Sequence, residues 1–162
     1  MQSMFKTLFA AVAVLMAFCG TAAAQTAGDE VGIHTVSWHS NPDACTGFAA
    51  GKQCQNWNPG VYFRRNTLAG SPDWVAGTYY NSVQRQTVYA AAVLPLVTLG
   101  NRVRLEIAGG LATGYQYAIV PIVMPSARVQ FDKRDAMTVG WIPRAGRFNE
   151  SHVLHLTFSR LL

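Results

Sequence analysis

Chemistry in this sequence can only be built from a few residue groups. His39 follows Trp38 in "VSWH", and Asn81-Ser82 follows an aromatic pair in "YYNS". An imidazole near a hydroxyl is the minimum for acyl transfer: the ring takes a proton while an oxygen attacks a carbonyl. Lys52, Arg85, Arg144 and Arg147 are cations of the kind that hold phosphorylated substrates. Taken singly, each has a plainer use. A His at a strand end is commonly structural, and Asn-Ser suits a hairpin tip because Asn tolerates left-handed backbone and Ser bonds locally. What decides between these uses is where the rest of the chain puts the three groups.

The chain opens with Lys6 and an apolar run of about a dozen residues, then Ala22-Ala23-Ala24 before Gln25. That is the pattern of a secretory signal peptide over 1–24, which leaves 138 residues, 25–162, for one domain. Cys19 leaves with the leader. Cys45 and Cys54, nine positions apart in a Gly/Asn/Pro-rich exported segment, are expected to form a disulfide worth about 2–3 kcal/mol. With no second cysteine pair or nearby histidine in the sequence, no metal site is expected.

Without Lys6, 12 basic residues face 8 acidic ones, a net charge of +4. The charge is scattered, with none of the basic runs that bind nucleic acid. Half the residues are apolar, yet no segment after the leader reaches the ~18 uninterrupted apolar residues of a membrane helix. A closed barrel remains the way for such a chain to enter a membrane.

Period-two alternation dominates after residue 30. It predicts strands over 31–39, 60–67, 73–80, 87–97, 102–112, 117–131, 136–143 and 152–162. The count is even and the lengths approach those of tilted transmembrane strands. The connections at one end (68–72, 98–101, 132–135) are short. Those at the other (40–59, 81–86, 112–116, 144–151) are longer, the asymmetry of an outer-membrane barrel. The fold expected is all-β, an eight-stranded antiparallel up-and-down transmembrane barrel. "VYAAAVL" is apolar on both faces, which argues against a soluble, lipocalin-like barrel. Pro95, Pro121 and Pro125 each remove a ladder donor, so pairing must relax beside them. Arg104 and Glu106 share one face of the fifth strand and are candidates for a buried network, with His155 as a further member. His34 and His155 lie away from the long-loop end and read as structural.

The order of these features resembles the lipid A palmitoyltransferase (PagP) family of outer-membrane barrel enzymes. That family has a Trp-His pair ending strand one, an Asp-Ser pair after strand three, Pro-xxx-Pro in strand six and aromatic-Ile-Pro in strand seven. The counterparts here are "VSWH", "YYNS", "PIVMP" (Pro121, Pro125) and "WIP" (Pro143). The resemblance implies a monomeric enzyme, without cofactor, that moves an acyl chain from a phospholipid to lipid A. His39 would be the general base, with Asn81 and Ser82 polarising the donor carbonyl. Lipids would enter through wall gaps beside Pro121, Pro125 and Pro143, and the loop cations would meet lipid A phosphates. The family's Asp is Asn81 here, its N-terminal amphipathic helix has no counterpart, and the small residue flooring its acyl pocket aligns near Val93, implying a shorter acyl chain. Two other functions fit the same strands: a non-enzymatic surface barrel, host- or phage-encoded, and a soluble periplasmic lipid carrier.

Overall fold

The computed structural model describes residues 28–47, 51–67, 71–100, 102–145 and 149–162. The expected signal peptide, 1–24, and Arg147 lie outside them. Among the described residues, eight strands run β1 Gly28–His39, β2 Trp57–Asn66, β3 Asp73–Tyr80, β4 Gln86–Leu99, β5 Val103–Ala112, β6 Val120–Gln130, β7 Asp135–Ile142 and β8 Val153–Leu161. Each pairs antiparallel with its sequence neighbours, and β1 pairs with β8, closing an up-and-down barrel. All eight expected strands form, with ends shifted by a few residues. A 3-10 turn, Pro42–Cys45, sits in the first long connection, and Cys45 and Cys54 are bonded as expected.

The barrel is apolar outside and polar inside. Val31, Ile33, Val61, Phe63, Val88, Leu94, Leu111, Val123 and Phe158 face outward and are exposed. Exposed Trp57, Tyr80, Tyr117 and Trp141 lie near the long-loop end, with Trp74 and Phe131 near the short-turn end. Such paired aromatic girdles flank the lipid-facing band of membrane barrels. At the short-turn end, the Arg134 and Asp135 N–H groups both donate to Asp132, holding its carboxyl below the usual range.

Inside, the short-turn half is filled by paired charges. Arg64 meets Glu106 through two bonds of 2.9 and 2.8 Å and Asp73 at 2.7 Å. Arg104 bonds Asp73 at 2.7 Å and Glu106 at 3.0 Å, so the Arg104–Glu106 network exists. Arg128 and Glu30 form a second bidentate pair at 3.0 and 2.6 Å. Removing one partner of such a pair strands a buried charge at a cost of about 3–5 kcal/mol. His155 is not in this network. It belongs to a ring layer above, stacked on His34 at 4.9 Å, with Tyr79 against both rings and Tyr89 against His34.

Candidate functional site

Strand β1 would carry His39 to the outside if it alternated strictly. Glu30, Gly32 and His34 point inward, which would put Val36 and Trp38 inside and Ser37 and His39 out. The pairing with β8 instead shifts between His34 and Val36, with Thr35 as the extra residue. Its hydroxyl donates to the Leu156 carbonyl at 2.8 Å. A bulge re-aims the side chains beyond it. Val36 is exposed, while Ser37 and His39 are buried, 5% and 7% exposed.

His39 then lines a cavity of about 300 Å³ at the long-loop end. Ser37, Asn58, Ser82 and His155 share its wall, with Tyr79 and Tyr115 joined at 2.6 Å through their hydroxyls. Burial pushes the Tyr115 phenol up. Below it, with Tyr79, Ile122, Ile142 and His155 as shared wall, lies a smaller space bounded by Ala91, Val93, Ala108 and Met124 above the charged layer. Val93, 3% exposed, lines this lower space. His155, read from sequence as remote from the long loops, is part of the cavity wall.

Ser82 is held by two residues that sequence reasoning did not single out. Ser37 Oγ donates to Asn58 Oδ1 at 2.5 Å, and Asn58 Nδ2 donates to the Tyr80 carbonyl and, at 3.4 Å, to Ser82 Oγ. The Ser37 and Ser82 oxygens are 3.2 Å apart. Ser37 spends its one proton on Asn58, and Ser82 accepts from Asn58. In the 3.2 Å contact the Ser82 hydroxyl is therefore the donor to Ser37 Oγ, and it can rotate from there towards a group in the cavity to serve a developing oxyanion.

Asn81 does something different. It is 0% exposed and does not line the cavity. Its Oδ1 accepts from the Val83 and Arg85 N–H groups at 3.0 and 2.9 Å, and Nδ2 donates to Thr87 Oγ1 and the Gly114 carbonyl at 2.9 and 2.8 Å. All four places are filled, so the side chain frames the turn that carries Ser82 and has no bond left to polarise a donor carbonyl. The turn also holds Gln84 at φ 61°, a left-handed conformation unusual for a side-chain-bearing residue. Gly114, at φ 81°, has no room for a Cβ, which would lie 2.2 Å from the Gln86 carbonyl.

The cavity reaches the barrel's outer surface at one seam. The β6–β7 ladder runs from Gln130↔Ala136 to Ser126↔Gly140 and goes no further among the described residues. Above it, β6 stays paired to β5 up to Val120, and β7 to β8 up to Ile142. The prolines explain the break. Gln130 N–H points to β5 and Phe131 N–H to β7. With no register shift along β6, residues 121, 123 and 125 are the ones whose N–H groups face β7. In the continued register they oppose 145, 143 and 141. Each of these three pairs contains a proline: Pro121, Pro143 and Pro125. Every pair that would close the seam lacks a donor. The cavity wall accordingly includes outward-facing Pro121 and Val123 as well as inward-facing Ile122. Lys52, Arg85 and Arg144 are exposed on the long-loop rim, outside the cavity.

No family model and no curated protein matches this chain. The site is therefore read from its own geometry. One further feature of His39 belongs to that geometry: a nitrogen of its ring and the two sulfurs of the disulfide lie within 4.8 Å of one another. The sequence, in which His39 and Cys45 are six positions apart with a 3-10 turn between, gave no sign that the turn folds the cysteines back over the imidazole.

Proposed function

We propose that this chain is an outer-membrane acyltransferase, taking an acyl chain from a phospholipid and placing it on lipid A. The observation that carries the reading is a largely apolar cavity that opens through the barrel wall beside three prolines and holds an imidazole and a hydroxyl at its upper end. A lipid tail leaving a bilayer sideways would meet that opening first. The apolar outer face and the two aromatic girdles support a membrane setting.

The chemistry follows from the side chains. His39 takes the proton of an acceptor hydroxyl as its oxygen attacks the donor ester carbonyl, forming the new C–O bond. The Ser82 hydroxyl donates to the oxygen that gains charge, with Ser37 and Asn58 fixing its direction. Collapse expels the lysophospholipid alkoxide, which recovers the proton from His39. The step is a transesterification and is balanced without a cofactor. Lys52, Arg85 and Arg144 on the rim, with Arg147, supply cations for the acceptor's phosphates. Val93, in the smaller space below the cavity, limits acyl length.

A second reading, a non-enzymatic barrel of the same fold, draws on one observation. Among the described residues, Nδ1 of His39 is buried with no hydrogen-bond partner, and the side chain bonded to the ring is the amide of Asn56 rather than a carboxylate. Mass spectrometry of lipid A from an outer membrane containing the protein separates the two. The enzyme reading expects a mass gain of one acyl group, reduced by about 10²–10⁴-fold in His39→Ala and lost in His39→Ala/Ser82→Ala. An unchanged lipid A with the native barrel inserted and folded would leave the non-enzymatic reading.

A further inference from the structure

Two sulfurs and an imidazole converge at the top of the cavity. Cys45, on the 3-10 turn, is 6% exposed, His39 is 7% exposed, and their ligand atoms and that of Cys54 lie within 4.8 Å of one another. Nδ1 of His39 is buried without a partner. An unpartnered ring nitrogen costs free energy unless something uses its lone pair. In the oxidised protein nothing among the described residues does, and the two sulfurs are bonded to each other. Once the disulfide is opened, the same three atoms are the donor set of a soft-metal site. Two thiolates and one imidazole with a fourth position left open is an arrangement in which zinc is held.

We propose that the reduced form of this barrel binds one Zn²⁺ through Cys45, Cys54 and His39, and that the disulfide is the state in which this site is masked. Reduction by a thiol or phosphine adds two electrons and two protons across the S–S bond and gives two thiols. Binding Zn²⁺ then releases those two protons, and the two thiolates with a neutral imidazole leave the centre uncharged. Around a tetrahedral zinc the donors stand roughly 3.3–3.8 Å apart, as Zn–S and Zn–N lengths of about 2.3 and 2.0–2.1 Å require. The sulfurs must separate from bonding distance to about 3.8 Å, and the imidazole must close in by up to about 1.3 Å. Cys54 can supply that movement, being only partly buried and flanked by the exposed Gln53. The newly exported chain, before oxidation, is in the reduced state, so metal and disulfide compete for the same sulfurs. Occupation would also take His39 out of acyl transfer. That consequence rests on the function proposed above, whereas the metal site itself does not.

Co²⁺ is the probe, because tetrahedral thiolate coordination gives it intense visible and near-ultraviolet absorption. The full mature barrel in detergent is reduced with a phosphine, which ends as phosphine oxide by taking its oxygen from water. It is then freed of reductant without air and titrated with Co²⁺, followed by Zn²⁺. The expected result is one tetrahedral Co²⁺ per barrel, displaced by one Zn²⁺, none in the oxidised barrel, and an affinity at least about tenfold lower in reduced His39→Ala. If that variant does not fold, His39→Gln, which keeps a polar side chain, makes the same comparison. Absence of one-to-one binding by the folded, reduced native barrel would overturn the proposal. So would equal affinity in the His39 variant. Lipid A acylation measured on the same samples keeps the two proposals apart: a barrel that binds cobalt but never acylates retains the metal site and loses the enzyme.

Discussion

Replacing Asn81 with aspartate would install the residue that the palmitoyltransferase family carries at this place, yet the hydrogen bonds argue that it damages the protein. The amide's orientation is fixed by its partners: two backbone N–H groups must face oxygen, and the Gly114 carbonyl must face nitrogen. A carboxylate can still accept from Val83 and Arg85. Its other oxygen would then stand about where Nδ2 is now, 2.8 Å from the Gly114 carbonyl, acceptor against acceptor. Thr87 can turn its hydroxyl to donate, but a carbonyl cannot. The lost donation at a fully buried position costs about 1–3 kcal/mol, and burying the charge adds to it. Protonation relieves both, so the variant's carboxyl is held in the folded barrel above the ~3.9 of an unfolded aspartate. The sign follows from linkage. The deficit is smallest below about pH 4 and grows as pH rises through the folded-state value, by about 1.4 kcal/mol for each unit of elevation. Urea unfolding in lipid vesicles at pH 4 and pH 8 measures this against the native barrel. A variant as stable as native at pH 8 would refute the assignment of Asn81 to the turn's frame. A rise in acylation without loss of stability would refute it from the other side, by returning the position to catalysis.

Deleting Thr35 removes the extra residue of β1 and leaves a regular strand in which His34, Ser37 and His39 still face inward and Val36 and Trp38 outward. The expected outcome is lipid A acylation retained, with His39 as closed to histidine-modifying reagents as in the native barrel; loss comparable to His39→Ala would refute Thr35 as the extra residue. Val93→Gly enlarges the lower space where it meets the charged layer. Mass spectrometry of the product should then read a longer acyl chain, and an unchanged length would free Val93 of any part in measuring it. Gln84→Gly relieves the left-handed backbone in the turn beside Ser82 and should stabilise the barrel by about 1 kcal/mol, read as a shift of the unfolding midpoint.

The contrast between Pro121 and Thr35 explains what the sequence could and could not reveal. Strand positions were legible because alternation has period two and the outer face is apolar throughout. The inverted pattern, polar Arg104 and Glu106 against apolar Leu105 and Ile107, carries both the strand and the direction it faces. The prolines were legible as breaks in pairing for the same reason: a missing N–H is a property of the residue. Which seam they open is a property of register. It takes the observed phase of β6 to put positions 121 and 125 on the β7 side and position 143 opposite 123. The disulfide was legible from spacing and compartment, while its approach to His39 depends on how a 3-10 turn folds back, which no spacing states.

The bulge at Thr35 is the harder case, because nothing in "HTVSWH" separates a regular strand from one with an extra residue. A regular β1 would bury Val36 and Trp38 and turn His39 to the outside, where an imidazole has no role. The residue left out of the alternation is β-branched, and its hydroxyl finds a carbonyl across the strand pair, so the local cost is small. The gain lies at other positions: Ser37 reaches Asn58 and Ser82, and His39 reaches the cavity. Asn58 was invisible from sequence because it sits beside Pro59 and looked like loop. It is instead an inward residue of β2, 1% exposed, and supplies the amide that the family pattern would lead one to seek at Asn81. The polar group that orients Ser82 therefore comes from the neighbouring strand, while the residue beside Ser82 in sequence holds the turn. Asn58→Leu tests that division of labour directly. It removes the donor to Ser82, and with it the bond to the Tyr80 carbonyl and the acceptor of Ser37, while the four bonds of Asn81 stay in place, so acylation should fall by up to about 10²-fold, the lower end of the cost of losing an oxyanion donor, with the barrel still folded.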